Sequence, residues 1–189
     1  MKSRYLDETE LEMLRQSMTA TAFLPFAVTL ETGLRIGDVL NLKHDNVKGR
    51  KLYYIAAKTG KAGVCEISQT LARKLKRRNG SPWCFPGRDG KQPLTRQAAW
   101  LRVKRACAAM GLDPSGISPH SLRKVFAVEL THAAGVEAAR QALQHTDLHT
   151  TELYALSDWL TGRNAEKPLL RKDLQLIVEK ILHVMQNAS

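Results

Sequence analysis

The sequence predicts a mainly α-helical domain with a small antiparallel β-sheet, an α+β arrangement. Three observations carry that prediction. Apolar residues recur at helical spacing along most of the chain, behind recognisable helix starts. Only Leu52 to Ser68 reads as a strand pair around a glycine-bearing loop. No internal repeat, low-complexity run or interdomain linker interrupts the pattern, so residues 1–189 are read as one domain with a sizeable core.

The elements follow in order. Asp7-Glu-Thr-Glu10 has the residue types of a capping box, with Leu11, Leu14 and Met18 behind it. A more apolar helix is expected over Ala20 to Glu31, with Gly33 suited to a left-handed helix end. Ile36 to Leu42 reads as a short helix with Val39, Leu40 and Leu42 inward, and Asp45 to Arg50 as a polar turn. Leu52 to Ala57 is rich in strand formers, Lys58-Thr-Gly-Lys-Ala-Gly63 is the loop, and Val64 to Ser68 returns. Thr70 to Arg78 is a basic helix, followed by breakers at Asn79 to Pro82 and Phe85 to Gly90 around a short apolar piece.

Thr95 to Met110 forms a helix bearing Arg96, Arg102, Lys104 and Arg105. Ser118 as N-cap and Pro119 as first helical residue open a helix that runs to Ala134 and ends at Gly135. Helices over Glu137 to Leu143 and Thr150 to about Trp159 follow, and Leu169 to Met185 closes the chain as an amphipathic helix.

Composition narrows the partners. Lys and Arg number 29 against 18 Asp and Glu, a net charge of +11 and a pI near 9.8. That balance favours a polyanion, nucleic acid ahead of an anionic membrane. No stretch approaches the ~20 apolar residues of a membrane span, and the start does not read as a signal peptide. Cys65, Cys84 and Cys107 are odd in number and far apart, which fits a reducing cytoplasm and neither a disulfide framework nor a zinc site.

One chemistry suits the polar residues. His120 and Arg123 are three apart and share a face in the first turn of a helix, a place for a phosphate. Cutting a phosphodiester with a protein hydroxyl needs guanidinium forks for the non-bridging oxygens, an acid for the leaving 5′ oxygen, and a nucleophile in line. Arg35 and Arg123 can be the forks, His120 and His145 further donors, Lys58 the acid and Tyr154 the nucleophile. A lysine's reference pKa of ~10.4 leaves it a proton to give at neutral pH. Lys61 is the rival acid in the same loop. His145 and His149 are four apart, a metal-ligand spacing, with no third ligand nearby in sequence; no metal is expected. Arg96, Arg102, Lys104 and Arg105 are expected to touch DNA phosphates, which positions without reading sequence.

These residues carry a resemblance. Thr32-Gly-Leu-Arg-Ile-Gly-Asp-Val-Leu-Asn-Leu42, Lys58 at the Lys-Thr-Gly turn, His120-Ser-Leu-Arg123, His145 and Thr150 to Tyr154 stand in the order and spacing of the catalytic domain of tyrosine recombinases, or phage integrases. The resemblance covers roughly residues 5 to 158. It implies that Arg35, Lys58, His120, Arg123, His145 and Tyr154 are catalytic and that Asp38 supports them. It implies a site-specific recombinase that cuts and rejoins double-stranded DNA through a 3′-phosphotyrosine without metal, ATP or other cofactor. It also implies a tetramer on two DNA sites, with the Leu169 to Met185 helix packed either on its own core or on a neighbouring subunit. Gln144 stands where the family often has glycine, and Lys124 where it often has histidine. The family's N-terminal DNA-clamping domain is expected to be absent, because the capping box lies close to Met1. That leaves an excised catalytic domain or a minimal stand-alone recombinase. Two other functions stay open: a DNA-binding module of the same fold without chemistry, and a relaxing topoisomerase.

Overall fold

Asp7 begins the fold as expected. In the computed structural model, which describes residues 3–77 and 80–143, its side chain accepts from the Glu10 backbone at 2.8 Å while Glu10 reaches back to the Asp7 amide. This capping box opens α1 (Glu8–Gln16), whose Leu11 and Leu14 are buried. Thr19 caps α2 (Ala20–Thr32). Gly33 ends it in the left-handed conformation, φ 67°, donating its N–H to the Thr29 carbonyl. α3 (Ile36–Leu40) is two residues shorter than its apolar pattern, but Val39, Leu40 and Leu42 all point inward.

The sheet has three strands, not two. β1 (Val47–Lys48) pairs antiparallel with β2 (Lys51–Ile55), and β2 with β3 (Ala62–Glu66), in the order β1-β2-β3. β1 lies inside the stretch read as a polar turn. At two residues it has no period to detect, and its flanks carry turn residues. The β2–β3 register sets Tyr53 opposite Val64 and Ile55 opposite Ala62. Leu52 is buried beneath the sheet, whereas Tyr53, Ile55 and Val64 are exposed above it. Ser68 does not extend the return strand. It caps α4 (Gln69–Lys76), accepting from the Leu71 amide at 3.1 Å.

Two long helices complete the described fold. α5 (Arg96–Ala109) is capped by Thr95 and buries Ala99, Val103, Ala106 and Cys107. α6 (Pro119–Leu143) is two helical pieces meeting at Gly135, whose φ of 86° and ψ of 167° break the helix where the sequence predicts. At its start the Ser118 hydroxyl accepts from the His120 amide at 3.2 Å, and the Ser121 hydroxyl accepts from the Ser118 amide at 3.1 Å. α2 packs along α6. The main core gathers Leu14, Phe26, Leu40, Leu52, Leu75 and Leu122. A smaller cluster of Phe126, Leu130, Ala139 and Leu143 closes the two pieces of α6 on each other. Among the described residues no helix is long and apolar enough to cross a membrane. The helices expected at Thr150 to Trp159 and Leu169 to Met185 lie outside the described residues, as do His145 and Tyr154.

Candidate active site

The left-handed turn after α2 is the anchor of the site. Thr32 holds it from one side, donating from its hydroxyl to the Val28 carbonyl at 2.7 Å and accepting from the Leu34 amide at 3.3 Å. Only glycine fits the next position. A Cβ on Gly33 would sit 2.5 Å from the Phe126 ring and 3.0 Å from Leu143. The Gly33 carbonyl in turn accepts from the Arg123 guanidinium, which also donates to the Leu143 carbonyl at 2.7 Å. Arg123 is 4% exposed. Its charge is therefore held in place by two carbonyls, one at the end of α2 and one at the end of α6. Arg123 is not a freely swinging fork.

Arg35 follows at the N-cap of α3, where its side chain makes no capping bond. Asp38, one turn on, is buried and accepts from the Ala57 amide at 2.9 Å. That bond pins the end of β2 to α3. It places Lys58, the next residue, over the same cleft. The turn beyond β2 closes through the Gly60 amide on the Ala56 carbonyl at 2.8 Å and the Ala56 amide on the Lys61 carbonyl at 2.9 Å, with Gly60 at φ 67°.

One cleft of about 470 Å³ is lined by Arg35, Asp38, Lys58, Arg96, His120 and Arg123, with Gly37, Ala57 and Pro119 among the backbone around them. The fold thus brings together five of the seven residues of the expected catalytic and supporting set, from three separate parts of the chain. The other two, His145 and Tyr154, fall outside the described residues. Lys61 does not line the cleft, although it shares the turn with Lys58. Arg35, Lys58 and Arg96 have no hydrogen-bond or ion-pair partner among the described residues. Among the described lining residues the one carboxylate, Asp38, is engaged with backbone.

Histidine chemistry there differs from a simple cation. His120 keeps solvent-accessible surface but is crowded on the cleft wall. Burial, then the charges of Arg123, Lys124 and Arg35, push its pKa down to about 4. His120 is therefore neutral at pH 7, with a ring N–H to donate and no charge of its own. Lys124 is held beside it through its bond to the Ser3 carbonyl. An anion placed in the cleft would oppose those three cations and raise the His120 pKa.

The four basic residues expected to touch DNA do not form one stripe. Arg96 opens α5 and lines the cleft. At ~100° per residue, Arg102 and Lys104 point to opposite sides of the helix. Lys104 donates to the Pro114 carbonyl and lies 5.2 Å from the Trp100 ring. Burial lowers the Arg102 pKa. Arg105 is exposed.

Two residues of the site were not singled out from sequence. Tyr54 is half-buried under the hairpin, near enough to Arg123, Asp38 and Arg35 to feel their charges. Burial pushes its phenol above the ordinary value, so it stays protonated at neutral pH. Gly63 leaves room for its ring, since a Cβ there would lie 2.5 Å from Tyr54 Cζ. The other residue is Gly37, whose missing side chain is filled by the Arg96 stem. A glycine inside a helical pattern was the available signal.

Comparison with known proteins comes to the same family as the motifs. The family model described as Phage integrase family matches residues 4–160. The tyrosine recombinase XerD of Xanthomonas axonopodis pv. citri is 32% identical over 142 residues, covering 66% of this chain and 47% of that protein. A crystal structure of a lambda integrase dimer bound to a COC′ core site superposes with a TM-score of 0.69 at 19% identity, covering 91% of this chain and 52% of the other. A lambda integrase tetramer bound to a Holliday junction gives 0.66 at 22% identity, covering 78% and 48%. The chain spans about half the length of the curated relatives it matches.

Proposed function

The chain belongs to the phage integrase family, and on that premise we propose that it is a tyrosine-type site-specific recombinase that cuts and rejoins double-stranded DNA. The observation that supports this most is the cleft itself. It gathers Arg35, Lys58 and Arg96, unpaired among the described residues, around a buried Arg123 whose position is fixed. Unpaired cations facing one cleft suit a substrate whose charge is negative and spread over several oxygens.

The proposed step runs as follows. Arg35 and Arg123 face the non-bridging oxygens of the phosphodiester, and neutral His120 donates a further hydrogen bond. The Tyr154 phenol gives up its proton to water, the cations of the cleft favouring its anion, and its oxygen attacks phosphorus to form a 3′-phosphotyrosine. The bond to the 5′ oxygen breaks, and that oxygen takes a proton from the Lys58 ammonium. The energy of the broken bond stays in the protein–DNA ester, so the reverse step can join a different 5′ hydroxyl. Asp38 supports the step by fixing the backbone beside Lys58. His145 is the second histidine donor. The solved neighbours on a core site and a Holliday junction support an active assembly of subunits on DNA, a tetramer across two sites.

Covalent trapping tests this. The full chain is incubated with a pool of duplexes whose arms are randomised and which carry a nick that lets the short cleaved fragment diffuse away. A denaturing gel should show a protein–DNA band that is lost in Tyr154→Phe. Sequencing the trapped DNA would identify the recognised site. DNA binding with no covalent band from any duplex would reject the proposal in favour of a binding module.

A further inference from the structure

Arg96 stands where its own helix does not favour it. It is the first residue of α5, whose opening turn contains no acidic side chain. A cation at a helix N-terminus opposes the helix dipole and the unpaired amides there. Such a local conflict marks a residue kept for another reason. The cleft supplies that reason, because Arg96 lines it with Arg35 and Lys58 and has no ion-pair partner among the described residues.

Its position is set by a second residue. The Arg96 stem lies against α3 at Gly37, where a Cβ would sit 3.3 Å from Arg96 Cδ and 3.9 Å from Cγ. Gly37 is two residues from Arg35 and precedes Asp38, so Arg96 is laid across the turn that presents Arg35. Gly37 carries no positive φ, so its backbone accepts alanine; what it provides is space for the stem.

We infer that Arg96 is a DNA-contacting residue that binds a backbone phosphate of the strand held beside Arg35, and that Gly37 is the seat that holds its guanidinium there. The inference rests on the proposed recombinase reading. It gives Arg96 a share in holding DNA, and no share in the bond-breaking step. It also separates Arg96 from Arg102, Lys104 and Arg105, none of which lines the cleft.

Binding and cleavage read the two roles separately. Affinity for a fluorescein-labelled duplex of mixed sequence is measured by anisotropy across a salt series. Arg96→Ala should lower the slope of log affinity against log salt by about 0.9, the loss of one phosphate contact. Arg88→Ala, an exposed arginine of the loop before α5, removes the same charge elsewhere and should leave the slope unchanged. Gly37→Ala should weaken binding less than Arg96→Ala does, and should weaken it no further when Arg96 is already alanine. Cleavage by Arg96→Ala should be lost at limiting DNA and largely recovered as the DNA concentration is raised, as expected for uniform binding.

An unchanged slope in Arg96→Ala would overturn the contact, and additive losses in the double variant would overturn the seat. A collapse of cleavage at saturating DNA would overturn the division of roles. A wild-type chain that binds DNA without covalent product would instead defeat the recombinase reading, and the salt slopes would still report on Arg96.

Discussion

Arg123 and Lys58 face the same cleft and are held in opposite ways. Arg123 is buried, and two backbone carbonyls from different helices fix it. Lys58 is exposed at a turn held to the body by the hairpin ladder and one bond from Ala57 to Asp38. The difference matches what the proposed reaction asks of each charge. A charge that stabilises the phosphoryl group works best when it needs no rearrangement as the reaction proceeds. A proton donor has to meet an oxygen that moves as it leaves, and a side chain on an exposed turn has that freedom. The two regions therefore separate stability from chemistry: changes at the Arg123 joint should damage both, and changes at Lys58 only the second.

The largest effect is expected at Gly33. Gly33→Ala places a methyl 2.5 Å from the Phe126 ring at a left-handed φ. The strain and overpacking together should cost about 3 kcal/mol, read as a lower midpoint in urea unfolding. An unchanged midpoint would break the account of this joint. Next is Arg123→Lys, which keeps the charge but cannot reach both carbonyls. Leaving one buried carbonyl unpaired should cost about 2 kcal/mol, and DNA cleavage should fall with it. Asp38→Ala removes the acceptor of the Ala57 amide and should cost about 1 kcal/mol, with faster hydrogen exchange at Ala57 than at Leu52. Exchange rising equally at both would mean global loosening, and would erase the distinction between the Lys58 turn and the Arg123 joint.

Lys58→Ala should leave stability within about 0.5 kcal/mol of wild type. The smallest effect is expected at His120. Its folded pKa of about 4 lies below the ~6.5 of an unfolded histidine, so the fold favours the neutral ring. Its contribution to stability is complete above pH 6.5 and is lost as pH falls toward 4. Urea midpoints measured down that range should fall less in His120→Ala than in wild type. An NMR titration of the His120 ring should show the pKa rising when DNA is bound; a value that does not move would mean the phosphate lies elsewhere.

The parts of this site legible in sequence were those with local causes. The capping box at Asp7, the left-handed end at Gly33, the cap at Ser118 and the break at Gly135 follow from side chains within a few residues of each position. The motif spacing named Arg35, Asp38, Lys58, His120 and Arg123, and the fold gathers these five around one cleft. Causes that act across the chain stayed hidden. The burial of Arg123 depends on carbonyls at Gly33 and Leu143, far away in sequence. The four basic residues of α5 looked alike by composition, and only packing divides Arg96 from the others. β1 is too short for its pattern to differ from a turn, and Ser68 reads as a strand residue because it directly follows the strand formers that end at Ile67.

The central claim, a fixed charge beside a mobile proton donor, is tested most directly by changing the leaving group. Single-turnover cleavage is measured on DNA whose bridging 5′ oxygen is replaced by sulfur, which leaves without needing a proton. Lys58→Ala should be inactive on ordinary DNA and restored toward wild type on the sulfur substrate, while Arg123→Lys should be impaired on both. Rescue of neither variant, or of both, would contradict the assignment.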